Sequence, residues 1–517
     1  LLGLAVYGKW KIPICRAYIV ALTAILLLSG KNVAYSLKKL SDESYVKQMT
    51  LEKEEDQRIL PLSRQGKNVV VIMLDAAIGA LVPYIFEERP DLYETYAGFT
   101  FYPNTMSYGM HTMFGSPALF GGYEYSLPEI QRRKEVSLVE KQNEAVSVMP
   151  ALFSGEGYRV TVCDPPYVGY QYYSDLSIYD AYENVHAHHM EGVYFMSDAE
   201  SASDTRRDNF VLYSMFKTTP LVVQMDFYSG TIDQTRVVNN AAYRILANMD
   251  KLMDITDAEE NTFMMMVNNL THEPVLLQPP EYVLTEAAED AVGTKREHAR
   301  VLDERILKFS ESAYDVNMAA LLRLGEWFEY LREEGVYDNT RIILAADHGK
   351  GDCVFKDMSL KNGLNIAEYN PLLMVKDFDG KDFQISDEFM TNADVPTMAL
   401  EGLINNPSNP FTGKAVDSKK KYQEKEQVLN TAATHNIYTN NGNVFDTTGG
   451  QYYGVNDNVL DPSNSNHVTQ VAVSSKTLTN HKVVLEETGI LLSTVVVKDD
   501  NKSGNASVPI IFVVTLG

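Results

Sequence analysis

The sequence predicts an α/β fold: a mostly parallel sheet with helices on both faces. Three observations carry that prediction. Asn68 to Leu74 (NVVVIML) and Arg341 to Ala346 (RIILAA) are short apolar runs of the kind that form buried parallel strands. Each run ends on an acidic residue, Asp75 and Asp347, and the second continues as His348-Gly349. Strand-like and helix-like segments then alternate from Lys67 to about Asn405.

In chain order, residues 1–31 come first. Ile12 to Ser29 (IPICRAYIVALTAILLLS) is almost wholly apolar and long enough for a membrane helix, although Arg16 shortens its clean part. No A-x-A-like site follows Leu28, which favours a retained helix over a cleaved signal. With Lys9, Lys11 and Arg16 inside, the expectation is a cell-membrane protein whose catalytic domain is extracytoplasmic. The first residue is Leu rather than Met, so the chain is expected to continue a longer protein, and Leu1 to Tyr7 reads as the tail of a preceding span. Residues 32–66 are a charged linker, with Glu52-Lys53-Glu54-Glu55-Asp56 at its centre.

The main domain is expected over 67–414. Strands are read near 68–74, 98–102, 158–163, 262–268, 341–346 and 371–376, and helices near 146–155, 206–217, 297–334 and 394–404. In the longest helix, Leu321, Leu322, Leu324, Trp327, Phe328 and Leu331 form an apolar stripe that is read as core packing. After it, 415–517 begins with Lys419-Lys420-Lys421 and an Asn-, Thr- and Gly-rich stretch. Val468 to Leu516 then alternates in β fashion, giving a small β-rich C-terminal region or a tail foreign to the main domain.

Composition narrows the function classes. Among 517 residues the formal net charge is −24, which excludes a nucleic-acid partner, because phosphate binding rests on clustered Lys and Arg. Three cysteines make neither a disulfide framework nor a zinc-finger spacing. Cys163 and Cys353 would pair only in an extracytoplasmic setting, and two separate buried thiols are the favoured reading.

Hard divalent cations need carboxylates, and an adjacent His adds a nitrogen ligand. Asp75, Asp347 and His348 therefore make a three-ligand set with a position left open for substrate. Taken singly, each Asp after a strand would equally cap a following helix. A nucleophile is expected in Asn104 to Gly122 (NTMSYGMHTMFGSPALFGG), where a loop rich in hydroxyls and glycines runs into an apolar helix. A hydroxyl there sits near the positive end of the helix dipole. Thr112 is the first choice, with Ser116 and Ser107 as alternatives, and all three would look the same as plain N-cap residues.

Glu326 to Gly349 (EWFEYLREEGVYDNTRIILAADHG) resembles the segment before the metal ligands in the sulfatase branch of the alkaline phosphatase superfamily. Asp75 is similar to that superfamily's first metal ligand. Asp394-Val395-Pro396-Thr397 and Asn409-Pro410-Phe411-Thr412-Gly413 resemble its late "D-x-x-P-T" helix and "N-P-x-x-G" turn. The resemblance covers roughly 67 to 414. Sulfatases carry Cys-x-Pro-x-Arg at the nucleophile, whereas the matching place here reads His111-Thr112-Met113-Phe114-Gly115-Ser116-Pro117, with neither Cys nor Arg. Thr at this place is similar to the phosphoethanolamine and phosphoglycerol transferases.

The resemblance implies a divalent metal, manganese first and magnesium or zinc otherwise, held by Asp75, Thr112, Asp347 and His348. It implies that His272, in Asn269-Leu270-Thr271-His272-Glu273-Pro274, contacts the substrate phosphate. It also implies a phospholipid headgroup donor and a glycolipid or envelope-polymer acceptor. The stretch Asp164-Pro165-Pro166-Tyr167 departs from the "H-G-N-D" region of lipoteichoic acid synthases, so the headgroup is left open between phosphoglycerol and phosphoethanolamine. A sulfatase-like phosphodiesterase and a catalytically silent envelope-binding domain stand as alternatives. His186, His188 and His189 offer a second metal site, but a surface loop is the favoured reading.

Overall fold

The computed structural model describes residues 58–191, 193–195, 240–272, 275–285, 304–360, 364–424, 426–432 and 440–460, strand segments at 465–468, 480–484, 491–495 and 510–511, and a few positions between 16 and 31. The chain divides into two units, Leu1–Ile59 and Leu60–Gly517. Among the described residues no helix is long and apolar enough to cross a membrane. The apolar stretch at 12–29 lies mostly outside them, as does the helix expected at 206–217.

An eight-stranded sheet organises the second unit. Its strands are β1 (Asn68–Leu74), β2 (Phe99–Phe101), β3 (Arg159–Cys163), β4 (Val185–His188), β5 (Thr262–Asn268), β6 (Thr340–Ala345), β7 (Leu373–Lys376) and β8 (Gln384–Ile385). They lie in the order β8, β2, β7, β6, β1, β5, β3, β4. From β6 to β4 every pairing is parallel. Beyond β6 the sheet is mixed: β7 runs antiparallel to both β6 and β2, and β8 pairs parallel with β2.

Every residue of β1, β5 and β6 is buried, as central parallel strands covered on both faces require. Among the buried polar residues of these strands, Asn68 sits at their shared amino end. Its amide donates to the Ser63 carbonyl at 2.9 Å and the Thr340 hydroxyl at 3.2 Å, and its oxygen accepts from Ser63 N–H at 2.8 Å and the Thr262 hydroxyl at 2.9 Å. A fully satisfied amide thus locks the amino ends of β1, β5 and β6 together.

The helices that matter for the site are α1 (Thr112–Gly121), α2 (Leu138–Gly155), α3 (Glu311–Glu333) and α4 (Val395–Leu400). Their ends differ from the sequence expectation for local reasons. α2 starts at Leu138 because the Ser137 hydroxyl caps it, accepting from Glu140 N–H at 3.1 Å. α3 starts at Glu311, where Ser310 caps by accepting from Ala313 N–H at 3.2 Å, and Ile306–Lys308 upstream is a short strand. α4 stops at Leu400, and Gly402 turns the chain at φ +69.

The apolar stripe of α3 is core, as its periodicity predicts. Phe328 is fully buried, with its ring 5.0 Å from those of Tyr96 and Phe99. Part of the region after 414 is stitched onto α1 and α2. Strands β9 (Gln427–Asn430) and β10 (Tyr452–Val455) pair antiparallel, and residues 442–445 between them lie against the helices. Leu138 N–H donates to Gly442 at 2.8 Å, the Lys141 ammonium donates to Asn443 at 2.6 Å, and Gln131 exchanges two hydrogen bonds with the Phe445 backbone at 2.8 and 3.0 Å.

Candidate active site

Strand register assembles the site. Ala345 of β6 lies opposite Met73 of β1, so Asp75 and Asp347, each two residues further on, leave the carboxyl edge side by side. His348 completes a group whose ligand atoms all lie within 4.8 Å of one another. Its Nε2 is 3.7 Å from Asp75 Oδ1 and 3.6 Å from Asp347 Oδ2.

These atoms suit a divalent cation. Asp75 Oδ1 and Asp347 Oδ2 are buried without a hydrogen-bond donor, an expensive state for carboxylate oxygens unless a cation sits between them. His348 Nδ1 lies 2.6 Å from the Gly349 carbonyl. A carbonyl only accepts, so Nδ1 is the donor and Nε2 is the ring atom left facing the two carboxylates. Burial pushes the Asp347 carboxyl up to about 6; His348 opposes the rise, Asp75 adds to it, and hydrogen bonding from the Ala76 N–H and the Thr112 hydroxyl opposes it.

The nucleophile candidate arrives on α1. Thr112 is the first residue of this helix, all ten residues of which are buried. The helix enters directly against the second ligand strand. A Cβ on Gly115 would collide with the Asp347 carbonyl, and one on Gly349 with the Ala367 carbonyl. Both glycines are therefore required by close backbone approach. The alternative hydroxyls point elsewhere: Ser107 donates to the Gly109 carbonyl at 2.6 Å, and Ser116 faces the Gln142 amide at 3.5 Å.

The structure thus brings together Asp75, Thr112, Asp347 and His348. His272 sits just beyond the carboxyl end of β5, and its carbonyl accepts from the Lys350 ammonium, which ties its loop to the one following His348. The three histidines near 186 do not converge, and they lie on and just after edge strand β4 rather than in a surface loop. His189 stacks on Tyr173 with centroids 3.9 Å apart and places Nδ1 3.6 Å from Asp164 Oδ1. Among the described residues, Asp75, Asp347 and His348 are the group able to hold a metal ion. Cys163 and Cys353 are both buried and are not bonded to each other.

Three neighbours of the site escaped the sequence reading. Lys350 follows the Asp-His-Gly triplet directly and was within its reach. Glu191 lies on the flank near Asp75: it accepts from the Asn269 N–H and side-chain amide at 3.2 and 3.1 Å, and burial pushes its carboxyl up to about 8. Asn392 precedes α4 and reaches both α1 and Asp347, and no motif announces it.

The fold matches, at low similarity, the lipoteichoic acid synthase LtaP from Listeria monocytogenes (12% identity, 76% of this chain and 82% of that one, TM-score 0.38). It also matches the C-terminal periplasmic domain of EptC from Escherichia coli (13% identity, 72% and 90%, TM-score 0.36) and the phosphonate monoester hydrolase from Silicibacter pomeroyi (12% identity, 75% and 85%, TM-score 0.39). These likenesses are too distant to carry an argument about substrate. No curated protein sequence matches. The family model for sulfatases matches residues 67–401, which runs from the residue before β1 to the one after α4. On that match, which takes in well over half of its length, the chain belongs to the sulfatase family.

Proposed function

We propose that this chain is a membrane-anchored, metal-dependent transferase that moves a phospho-alcohol group, phosphoglycerol or phosphoethanolamine, from a phospholipid to a glycolipid or envelope-polymer acceptor outside the cytoplasm. One observation carries the reading: a threonine hydroxyl opens the buried helix α1 beside Asp347, where a sulfatase would present its cysteine.

Asp75, Asp347, His348 and the Thr112 oxygen would hold the metal, manganese first. When bound, it supplies positive charge that lowers the pKa of the threonine hydroxyl and offsets charge on the phosphoryl oxygens. Thr112 Oγ1 gives up its proton to solvent and attacks the donor phosphorus; the phosphorus–oxygen bond to diacylglycerol breaks, and the departing oxygen takes a proton from solvent. The result is a phospho-threonine. His272 contacts a phosphoryl oxygen through both steps. The acceptor hydroxyl then attacks the same phosphorus in line and loses its proton to solvent, while the bond from phosphorus to Thr112 Oγ1 breaks and that oxygen takes a proton back from solvent.

The test incubates the protein with manganese and a fluorescent phosphatidylglycerol or phosphatidylethanolamine. Diacylglycerol release and a headgroup-phosphate adduct on Thr112 are expected. Thr112→Ala should lower the rate at least about 10³-fold, as for loss of a nucleophile. Full activity in Thr112→Ala, with no adduct on the parent protein, would sink the mechanism. Added acceptor should suppress release of free headgroup phosphate; if it does not, the chain is a phosphodiesterase that uses water in the second step.

A further inference from the structure

The nucleophile and the metal ligands come from elements far apart in sequence, and the helix that delivers Thr112 touches the strand that delivers Asp347 without a side chain between them. What holds that contact is Asn392. It is 1% exposed, lies just before α4, and directs both amide protons into the gap. Nδ2 donates to the Gly115 carbonyl of α1 at 3.0 Å and to the Asp347 carbonyl at 2.9 Å. The amide orientation is fixed chemically, since the opposite flip would set its oxygen against two carbonyl oxygens.

Asn392 is itself immobilised. Thr391 and Asp394 close a reciprocal capping box around it, with Thr391 N–H donating to Asp394 Oδ2 at 2.8 Å. The Tyr123 hydroxyl donates to Asp394 Oδ1 at 3.0 Å, and the Lys421 ammonium lies 3.2 Å from Asp394 Oδ2. Thr391, Asn392, Asp394, Tyr123 and Lys421 are all buried.

We propose that Asn392 is a positioning residue for the phosphoryl-transfer reaction: it clamps the first turn of α1 to the backbone of Asp347 and so sets the Thr112 hydroxyl against the metal-binding carboxylate. The proposal rests on Thr112 acting as nucleophile. Its chemistry requires two donors on one rigid head, which Asn supplies. Ser supplies one, and Ala none.

The experiment compares Asn392→Ala and Asn392→Ser with the parent protein, measuring kcat and KM for the lipid donor, the thermal midpoint, and the rate of Thr112 adduct formation in a single turnover. Asn392→Ala should lower kcat and the adduct rate by about 10–100-fold, the usual effect of losing an outer-shell partner, with KM within about two-fold. Asn392→Ser should recover part of both rates. If Asn392→Ala fails to fold, Asn392→Ser alone reads the proposal through its kcat against KM.

An unchanged kcat in a folded variant overturns the clamp. So does a thermal midpoint that falls while the adduct rate of the folded fraction stays at the parent value, since that is a purely structural role. Thr112→Ala run in parallel separates the two readings: activity surviving there refutes the nucleophile, whereas activity lost there but kept in Asn392→Ala refutes only the clamp.

Discussion

Glu191 shows how a single residue can report its surroundings. Its carboxyl is held up to about 8, first by burial and then by Asp164, whose oxygens accept from the Met190 and Glu191 N–H groups at 3.0 to 3.1 Å. A carboxyl whose folded pKa is raised binds its proton more tightly in the native state, so its stabilising effect is complete at low pH and is lost as pH rises from about 4.5 through about 8. Glu191→Gln should therefore gain on the parent protein across that window, by up to about 1.4 kcal/mol per pH unit. Urea denaturation at pH 5 and pH 9 checks this, and an equal difference at both pH values would refute it. Asp347 carries the same tension at the metal site. With a chelator present, Asp347→Asn should be more stable than the parent at pH 7.5, by on the order of 3 kcal/mol, and calorimetry with added manganese should show the order reversed.

Elements divide into those that hold the sheet and those that hold the site. α3 covers the sheet through Phe328, whereas the chain between β9 and β10 braces α1 through Phe445, whose ring meets Phe114 edge-on at 4.8 Å. Both phenylalanines are buried, so Phe328→Ala and Phe445→Ala should each cost about 3–5 kcal/mol in urea denaturation. Only Phe445→Ala should also lower kcat in the folded protein, because Phe114 lies in the helical turn that begins with Thr112. Equal kcat in the two variants would show that the brace does not reach the nucleophile. This brace is a packing fact that the Asn- and Gly-rich composition of the region conceals, since α2 and Gln131 grip it mostly through its own backbone groups.

At the scale of the whole molecule, the site is a place where charge of one sign is concentrated inside a chain of net charge −24, and cation binding should contribute to folding as well as to activity. Removing the metal with a chelator should lower the thermal midpoint of the parent protein, by the equivalent of about 2.7 kcal/mol from a hundredfold excess over Kd. It should leave His348→Ala unchanged, and an identical shift in both would place the metal elsewhere. The sequence by itself determined the central strands β1, β5 and β6 and the core stripe of α3, and it singled out Asp75, Thr112, Asp347 and His348 as one candidate site. Continuous burial writes itself as unbroken apolar runs, and metal chemistry demands particular side chains at strand ends. Only the tertiary structure decided that β7 runs against its neighbours, that Ser107 and Ser116 turn away, and that Asn392 spans from α1 to Asp347. Those features depend on which carbonyls and side chains meet across the fold. A backbone contact secured by one amide leaves no periodicity or spacing in the chain that makes it.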